Sequence, residues 1–351
     1  MIMNRRHINI PVFIPHLGCP NSCVFCNQRT ISGVSEFDAS SIIDIIENSL
    51  STVTEYDNAE IAFFGGSFTG IDRELMKKLL YQANCYIKSG RITSIRCSTR
   101  PDYISDEVLD ILERYGVKTI ELGLQSISQC VLNACARGHT SEDSMIACKK
   151  IKERGFKLGA QMMIGLPGAT IEDELKTAEF IVKSGADEAR IYPTIVFKDT
   201  ELCNMCNSGL YTPLSVKEAV YRASEVFKVL VSAKIKVLRI GLCDSENLHS
   251  DTTYFAGPNH PAMGELVIGA YYYNKIHEKL VELNIAEGAF VLAEVAKGQV
   301  SKAIGQSKIN KNNIIREFSL SDFKVKESTD LKEYEVKVTV QERKKNVFKV
   351  T

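Results

Sequence analysis

Three thiols stand close together: Cys19, Cys23 and Cys26, in the stretch Phe13-Ile14-Pro15-His16-Leu17-Gly18-Cys19-Pro20-Asn21-Ser22-Cys23-Val24-Phe25-Cys26-Asn27. Thiolates are the ligands of iron–sulfur clusters, and a C-x3-C-x2-C triplet lets one loop wrap one cluster. Three protein ligands cannot fill a four-iron cluster, so one iron is left open to a group that is not protein. A structural zinc site is the alternative chemistry. It is four-coordinate and usually draws on two pairs of ligands. No second nearby C-x2-C or H-x3-H pair completes the set, but His16 is close enough to act as a fourth ligand.

The elements around the triplet repeat. Apolar runs of strand length occur at Ile8–Ile14, Glu60–Phe64, Ile92–Cys97, Thr119–Leu124, Lys157–Ile164 and Glu188–Ile195, with helical periodicity between them. Ile42, Ile43, Ile46 and Leu50 fall on one helical face, with Ser41 and Asp44 placed as a capping pair. Leu75, Leu79 and Ile87 mark a second helix, and Val108, Ile111, Leu112 and Tyr115 a third. Met145 to Lys152 and Ile171 to Val182 supply two more. This pattern predicts an α/β fold, a partial (β/α)6 TIM-like barrel, followed by a small C-terminal α+β domain. The domain boundary is expected near residue 285, giving 1–285 and 286–351. Loops at the carboxyl ends of parallel strands carry chemistry in such folds, and the cysteine loop follows the first strand.

Other motifs follow the later strands. The second strand ends in Phe64-Gly65-Gly66-Ser67, where paired glycines let a backbone approach a ligand. The third ends in Cys97-Ser98-Thr99-Arg100-Pro101-Asp102, and the fourth in Glu121-Leu122-Gly123-Leu124-Gln125. Arg137-Gly138-His139-Thr140 and Met162-Met163-Ile164-Gly165-Leu166-Pro167-Gly168 complete the set. Glu121 and Gln125 are an even number apart and so face one side of their strand. They are either polar groups beside a ligand or partners of buried backbone. His139, beside Gly138, reads as part of a turn.

These motifs, over about Ile10 to Val237, resemble the radical S-adenosylmethionine (SAM) superfamily. Within it they resemble the radical-SAM part of the Elongator catalytic subunit. The resemblance implies a 4Fe-4S cluster on Cys19, Cys23 and Cys26, with SAM filling the open iron site. It implies that Gly65, Gly66 and Ser67 cradle the methionine part of SAM, that Phe25 packs near adenine, and that Ser98, Gln125 and Arg137 complete the cofactor site. Arg137 would hold the SAM carboxylate; its alternative is an ordinary arginine at a helix end. The family chemistry is reductive cleavage of SAM to methionine and a 5′-deoxyadenosyl radical, and it needs an external one-electron reductant. Gln125 and His260 are the candidates for substrate chemistry. His260 sits in Tyr254-Phe255-Ala256-Gly257-Pro258-Asn259-His260-Pro261, which either closes over the site or turns into the helix ending near Leu283.

Composition narrows the class. The chain has 351 residues, 44% of them apolar, and no net charge at neutral pH, so no global field draws in nucleic acid or membrane. The N-terminus lacks an apolar signal core and no run reaches membrane-spanning length. Eleven cysteines fit a reducing compartment, hence an expected cytoplasmic location. Cys203 and Cys206 form a C-x2-C that pairs with Cys243 as an auxiliary cluster or simply packs. Charge is uneven: eight acidic and no basic residues lie from Thr30 to Asp72, and five basic and no acidic ones from Lys297 to Arg316. After the helix at Ser215–Lys234 and a strand at Lys236–Leu242, further strands are expected at Val291–Val295, Tyr334–Val340 and Val347–Val350.

Only about 110 residues follow Leu242, without a G-x-G acetyl-CoA loop, so the Elongator acetyl transfer is not expected here. The expected substrate is tRNA or another RNA, met through the basic stretch 297–316. Two alternatives stay open. One is radical-SAM chemistry on a small molecule, as in the coproporphyrinogen dehydrogenase relatives. The other is a non-catalytic carrier of an iron–sulfur cluster or haem.

Overall fold

The computed structural model describes residues 7–14, 17–19, 23–27, 37–54, 58–242 and 252–341. His16, Cys243 and the strand expected at 347–350 lie outside the described residues.

Seven parallel strands form one curled sheet in the order β1-β2-β3-β4-β5-β6-β8. They are β1 (His7–Ile14), β2 (Asn58–Gly65), β3 (Ser94–Thr99), β4 (Val117–Gln125), β5 (Lys157–Ile164), β6 (Glu188–Pro193) and β8 (Lys236–Ile240). The intervening helices are α1 (Ile42–Leu50), α2 (Arg73–Lys88), α3 (Asp106–Arg114), α4 (Gln129–Ala134), α5 (Ser141–Glu153) and α6 (Ile171–Lys183). The partial barrel expected from the alternation is present, and β8 extends it by a seventh strand along β6. The strand expected to run to Ile195 stops at Pro193, which has no N–H to give to a ladder.

Beyond β6 lie β7 (Val196–Phe197), α7 (Glu201–Asn207), α8 (Val216–Ser232) and β9 (Tyr254–Ala256), with β7 and β9 paired antiparallel. Helix α9 (Met263–Glu282) then leads to β10 (Phe290–Ala296), α10 (Val300–Ile304), α11 (Ile309–Glu317), β11 (Asp322–Ser328) and β12 (Val336–Gln341). β10 is the middle strand of this second sheet, parallel to β11 and antiparallel to β12.

Alternation along each strand sorts the two faces. Ile10, Val12 and Ile14 of β1, Ile61 and Phe63 of β2, and Ile95 and Cys97 of β3 join the helices in the main apolar core. That core runs without a break from Ile10 to Val291, Phe323 and Val336, so residues on both sides of 285 share it. Side chains Thr140, Thr170 and Ser215 cap α5, α6 and α8 in full capping boxes with Asp143, Asp173 and Glu218.

The first helix departs from the expected pattern. Ser41 is itself helical in conformation and makes no side-chain cap. Its hydroxyl instead donates to the Asp38 carbonyl oxygen at 2.8 Å. Ile42, Ile46 and Leu50 are buried, whereas Ile43 is 46% exposed. The i, i+4, i+8 row faces the sheet, and the residue next to it has rotated off. No helix among the described residues is long and apolar enough to cross a membrane.

Candidate active site

The cysteine loop is fixed from three sides at the carboxyl ends of the strands. On one side, Gly66 N–H donates to the Ile14 carbonyl at 2.7 Å and Ser67 N–H to the Leu17 carbonyl at 3.2 Å. A Cβ on Gly66 would stand 2.1 Å from the Leu17 oxygen, and one on Gly18, whose φ is +71°, would stand 2.2 Å from the Ser67 oxygen. The two backbones therefore touch, and glycine is needed on both. On the second side, Val24 N–H donates to the Cys135 carbonyl at 3.1 Å, just past α4. On the third, Leu202 N–H of α7 donates to the Val24 carbonyl at 2.8 Å. Val24 is buried in a second apolar cluster with Val131, Leu166, Val196 and Leu202, and Phe25 packs against it. The loop after the first strand thus meets elements that follow the sixth.

Cys23 is buried, Cys19 and Cys26 are partly buried, and none of the three is in a disulfide. Cys19 Sγ lies 3.6 Å from Ser67 Oγ. Cys23 Sγ lies 3.4 Å from Arg137 Nη1, and Arg137 Nη2 donates to the Gly123 carbonyl at 2.8 Å. Among the described residues no three His, Cys, Asp or Glu side chains are gathered closely enough to hold a metal ion. Pro20, Asn21 and Ser22, within the loop, lie outside the described residues. The donor set itself is soft and thiol-rich, the kind that suits an iron–sulfur cluster.

Gln125 ends β4 in the left-handed region, at φ 65°, which is unusual for a residue with a side chain. The ladder to β5 slips between Gly123 and Gln125, so simple alternation from Glu121 fails there. The Gln125 amide nevertheless lies over Gly123, 3.0 Å from where a Cβ would be, and its Oε1 is buried with no partner among the described residues. Strain and an unpaired buried acceptor in one residue point to a ligand-facing role.

Glu121 has a different environment. Its carboxylate accepts from Arg96 Nη1 at 2.5 Å, Arg190 Nε at 2.8 Å and Gln161 Nε2 at 2.9 Å. Arg96 also donates to Glu60 at 2.6 Å and Glu188 at 3.0 Å. Burial opposes the Glu121 charge, but Arg190 and Arg96 outweigh it and hold the carboxyl below its ordinary range. This network spans β2, β3, β4, β5 and β6 inside the barrel. The sequence signal for it was a lone charge at an inward position of an apolar strand, as at Glu60, Arg96 and Arg190. Ser98, also inward, receives a 3.4 Å bond from Gln161.

Arg100 and His139 complete the surroundings of the thiols. Arg100 is 1% exposed and forms a two-pronged pair with Asp102 at 2.9 Å for each prong. His139 lies buried in the bend before α5, and burial, then Arg137 and Arg100, push its pKa down to about 4. His260 sits at the start of α9, where its Nδ1 accepts from Ala262 N–H at 3.1 Å and its carbonyl from Met263 N–H at 3.1 Å. It turns the chain into the helix. The loop before it reaches the carboxyl end of β6, with Gly257 against Thr194 and Ile195. Cys203 is buried in the apolar cluster beside Val24, and Cys206 packs at its edge.

Comparison with known proteins agrees with this architecture. Residues 13–181 match the radical SAM superfamily and residues 186–272 the Radical SAM C-terminal domain. A tRNA uridine(34) acetyltransferase of Methanocaldococcus infernus is 34% identical over 147 residues, 41% of this chain and 26% of that protein. An uncharacterized protein of Methanocaldococcus jannaschii is 29% identical over 228 residues, 62% of this chain and 70% of that protein. The archaeal Elp3 of Methanocaldococcus infernus, solved with an N-terminal deletion, shares the fold with a TM-score of 0.60 at 21% identity, over 85% of this chain and 73% of that one. The chain spans about a quarter of the length of the tRNA uridine(34) acetyltransferases it matches. The two matches together run through the curled sheet, the cysteine loop and the helices behind it, and the chain belongs to the radical SAM enzyme superfamily.

Proposed function

We propose that the chain is a radical SAM enzyme that carries a 4Fe-4S cluster on Cys19, Cys23 and Cys26 and acts on tRNA. The observation that carries the reading is the position of the cysteine loop. It is held at the carboxyl end of β1 by Gly66 and Ser67 on one side and by Cys135 and Leu202 on the others. The three cysteines are not in disulfides, and a buried guanidinium lies beside Cys23. When bound, the cluster supplies the single electron that splits SAM, drawn from an external one-electron reductant.

The chain's own residues bind, orient and exclude water. The N–H groups of Gly66 and Ser67 are engaged with Ile14 and Leu17, so these residues would meet the methionine amino group through carbonyl oxygens. Gln125 would complete its bonding on SAM or substrate through the unpaired Oε1. Ser98 faces the same barrel interior, and Phe25 would lie against the adenine. The apolar cluster around Val24 keeps water from the loop's underside.

The tRNA reading is supported by the name of the 34% identical relative, a tRNA uridine(34) acetyltransferase, over the part that this chain shares with it. Residues 297–316 include α10 and the turn to α11 and carry five basic and no acidic residues, which would offer phosphate contacts. The test is 5′-deoxyadenosine formation by the reconstituted protein with and without bulk tRNA at low salt. Stimulation by tRNA supports the substrate. Turnover indifferent to tRNA, with no tRNA bound, would move the substrate to a small molecule.

A further inference from the structure

Behind the cysteine loop lies an unbalanced set of buried cationic and polar groups. Arg100 and Arg137 are 1% and 8% exposed. Asp102 is the one carboxylate hydrogen-bonded to either guanidinium among the described residues. Arg100 Nη1 and Arg137 Nε are buried with no partner there, and so are both ring nitrogens of His139. Two buried guanidinium charges therefore face one carboxylate. A buried charge without a counter-charge is costly enough that native structures pair it.

Arg137 points to what completes the balance. Its Nη1 is 3.4 Å from Cys23 Sγ and its Nη2 is fixed on Gly123. Its Nε has no partner among the described residues, and each Nη keeps a second N–H. The side chain can donate to a sulfur. Resting on the cluster reading above, we propose that Arg137, backed by Arg100, is the built-in counter-charge of the thiolate-ligated cluster, and that it sets the cluster's reduction potential through Cys23.

The physical basis is simple. Three thiolates leave the cluster and its ligands negative, and reduction adds one more electron from the external reductant. A buried N–H donor at a ligating sulfur stabilises the more negative state, so it raises the potential; hydrogen bonds to sulfur and net charge are established determinants of that potential. In low dielectric the effect is not screened away. Arg137 is thus a positioning and tuning residue for the cluster, acting through Cys23.

The experiment uses the full chain as wild type, Arg137→Gln and Arg137→Lys, each rebuilt anaerobically with iron and sulfide. The midpoint potential is read by redox titration followed by electron paramagnetic resonance, with circular dichroism melts alongside. The glutamine variant should lose at least tenfold in the reduction equilibrium constant, about 59 mV for one electron, while the lysine variant keeps most of the wild-type potential. If the glutamine variant folds but loads no cluster and the lysine variant loads one, the charge is again what matters. An unchanged potential in a loaded glutamine variant overturns the inference, as does equal loss of loading in both variants. A wild type that binds no cluster at all would instead sink the functional reading itself, so the two failures are distinguishable.

Discussion

At the scale of single residues, the interior is held by charges that cannot be removed one at a time. Glu121 is 1% exposed and answers both Arg96 and Arg190. Glu121→Gln should cost about 3 kcal/mol in urea unfolding, because it leaves buried guanidiniums under-paired; a loss below about 1 kcal/mol would contradict the network's role. The same carboxyl titrates below its ordinary range when folded. Its contribution is therefore present above the unfolded pKa and is lost as pH falls through the lowered folded value. His139 behaves alike for the opposite charge type. Folding holds it neutral, with its pKa pushed from 6.5 down to about 4, so the unfolded chain binds the extra proton in between. Stability should fall as pH drops from 6.5 towards 4, and His139→Leu should flatten that part of a stability-against-pH curve by up to about 3 kcal/mol. The Cys19, Cys23 and Cys26 triplet was visible in the sequence as a spacing. The Arg96 network was not. Ion pairs between strands 25 to 92 residues apart depend on the curl of the sheet, which no local window contains.

At the scale of elements, the site exists because two backbones touch. Gly66 and Gly18 each stand where a Cβ would meet carbonyl oxygen at little over 2 Å. Gly66→Ala should leave the barrel's far-ultraviolet circular dichroism intact while cluster loading falls severalfold. Full loading in that variant would show that the loop tolerates a different seat. Strand positions were readable from apolar runs, since the helix-facing residues of the strands are buried in the main core. Departures came where a local hydrogen bond or a backbone irregularity overrode the periodic pattern. Ser41 resembles a cap but takes a helical conformation and bonds to Asp38. Gln125 resembles an ordinary strand residue, yet a bulge and φ 65° re-aim it.

At the scale of the whole molecule, one apolar core joins the barrel to the C-terminal sheet through α9, where Tyr271 and Tyr272 pack with Tyr334. The second sheet therefore sets the position of α10 and α11 relative to the barrel. If those helices meet tRNA, Lys302→Glu with Lys308→Glu should weaken tRNA binding at low salt and lower the slope of log affinity against log salt by about 1 per lost contact, without changing SAM cleavage in the absence of tRNA. An unchanged slope would place the RNA elsewhere. The central claim is the radical chemistry, and the most direct measurement is 5′-deoxyadenosine released from SAM by the protein rebuilt anaerobically with iron and sulfide and reduced with dithionite, beside Cys23→Ala treated identically. The account predicts product from the wild type and none from the variant. A well-loaded cluster that yields no product, or equal product from both proteins, would contradict it.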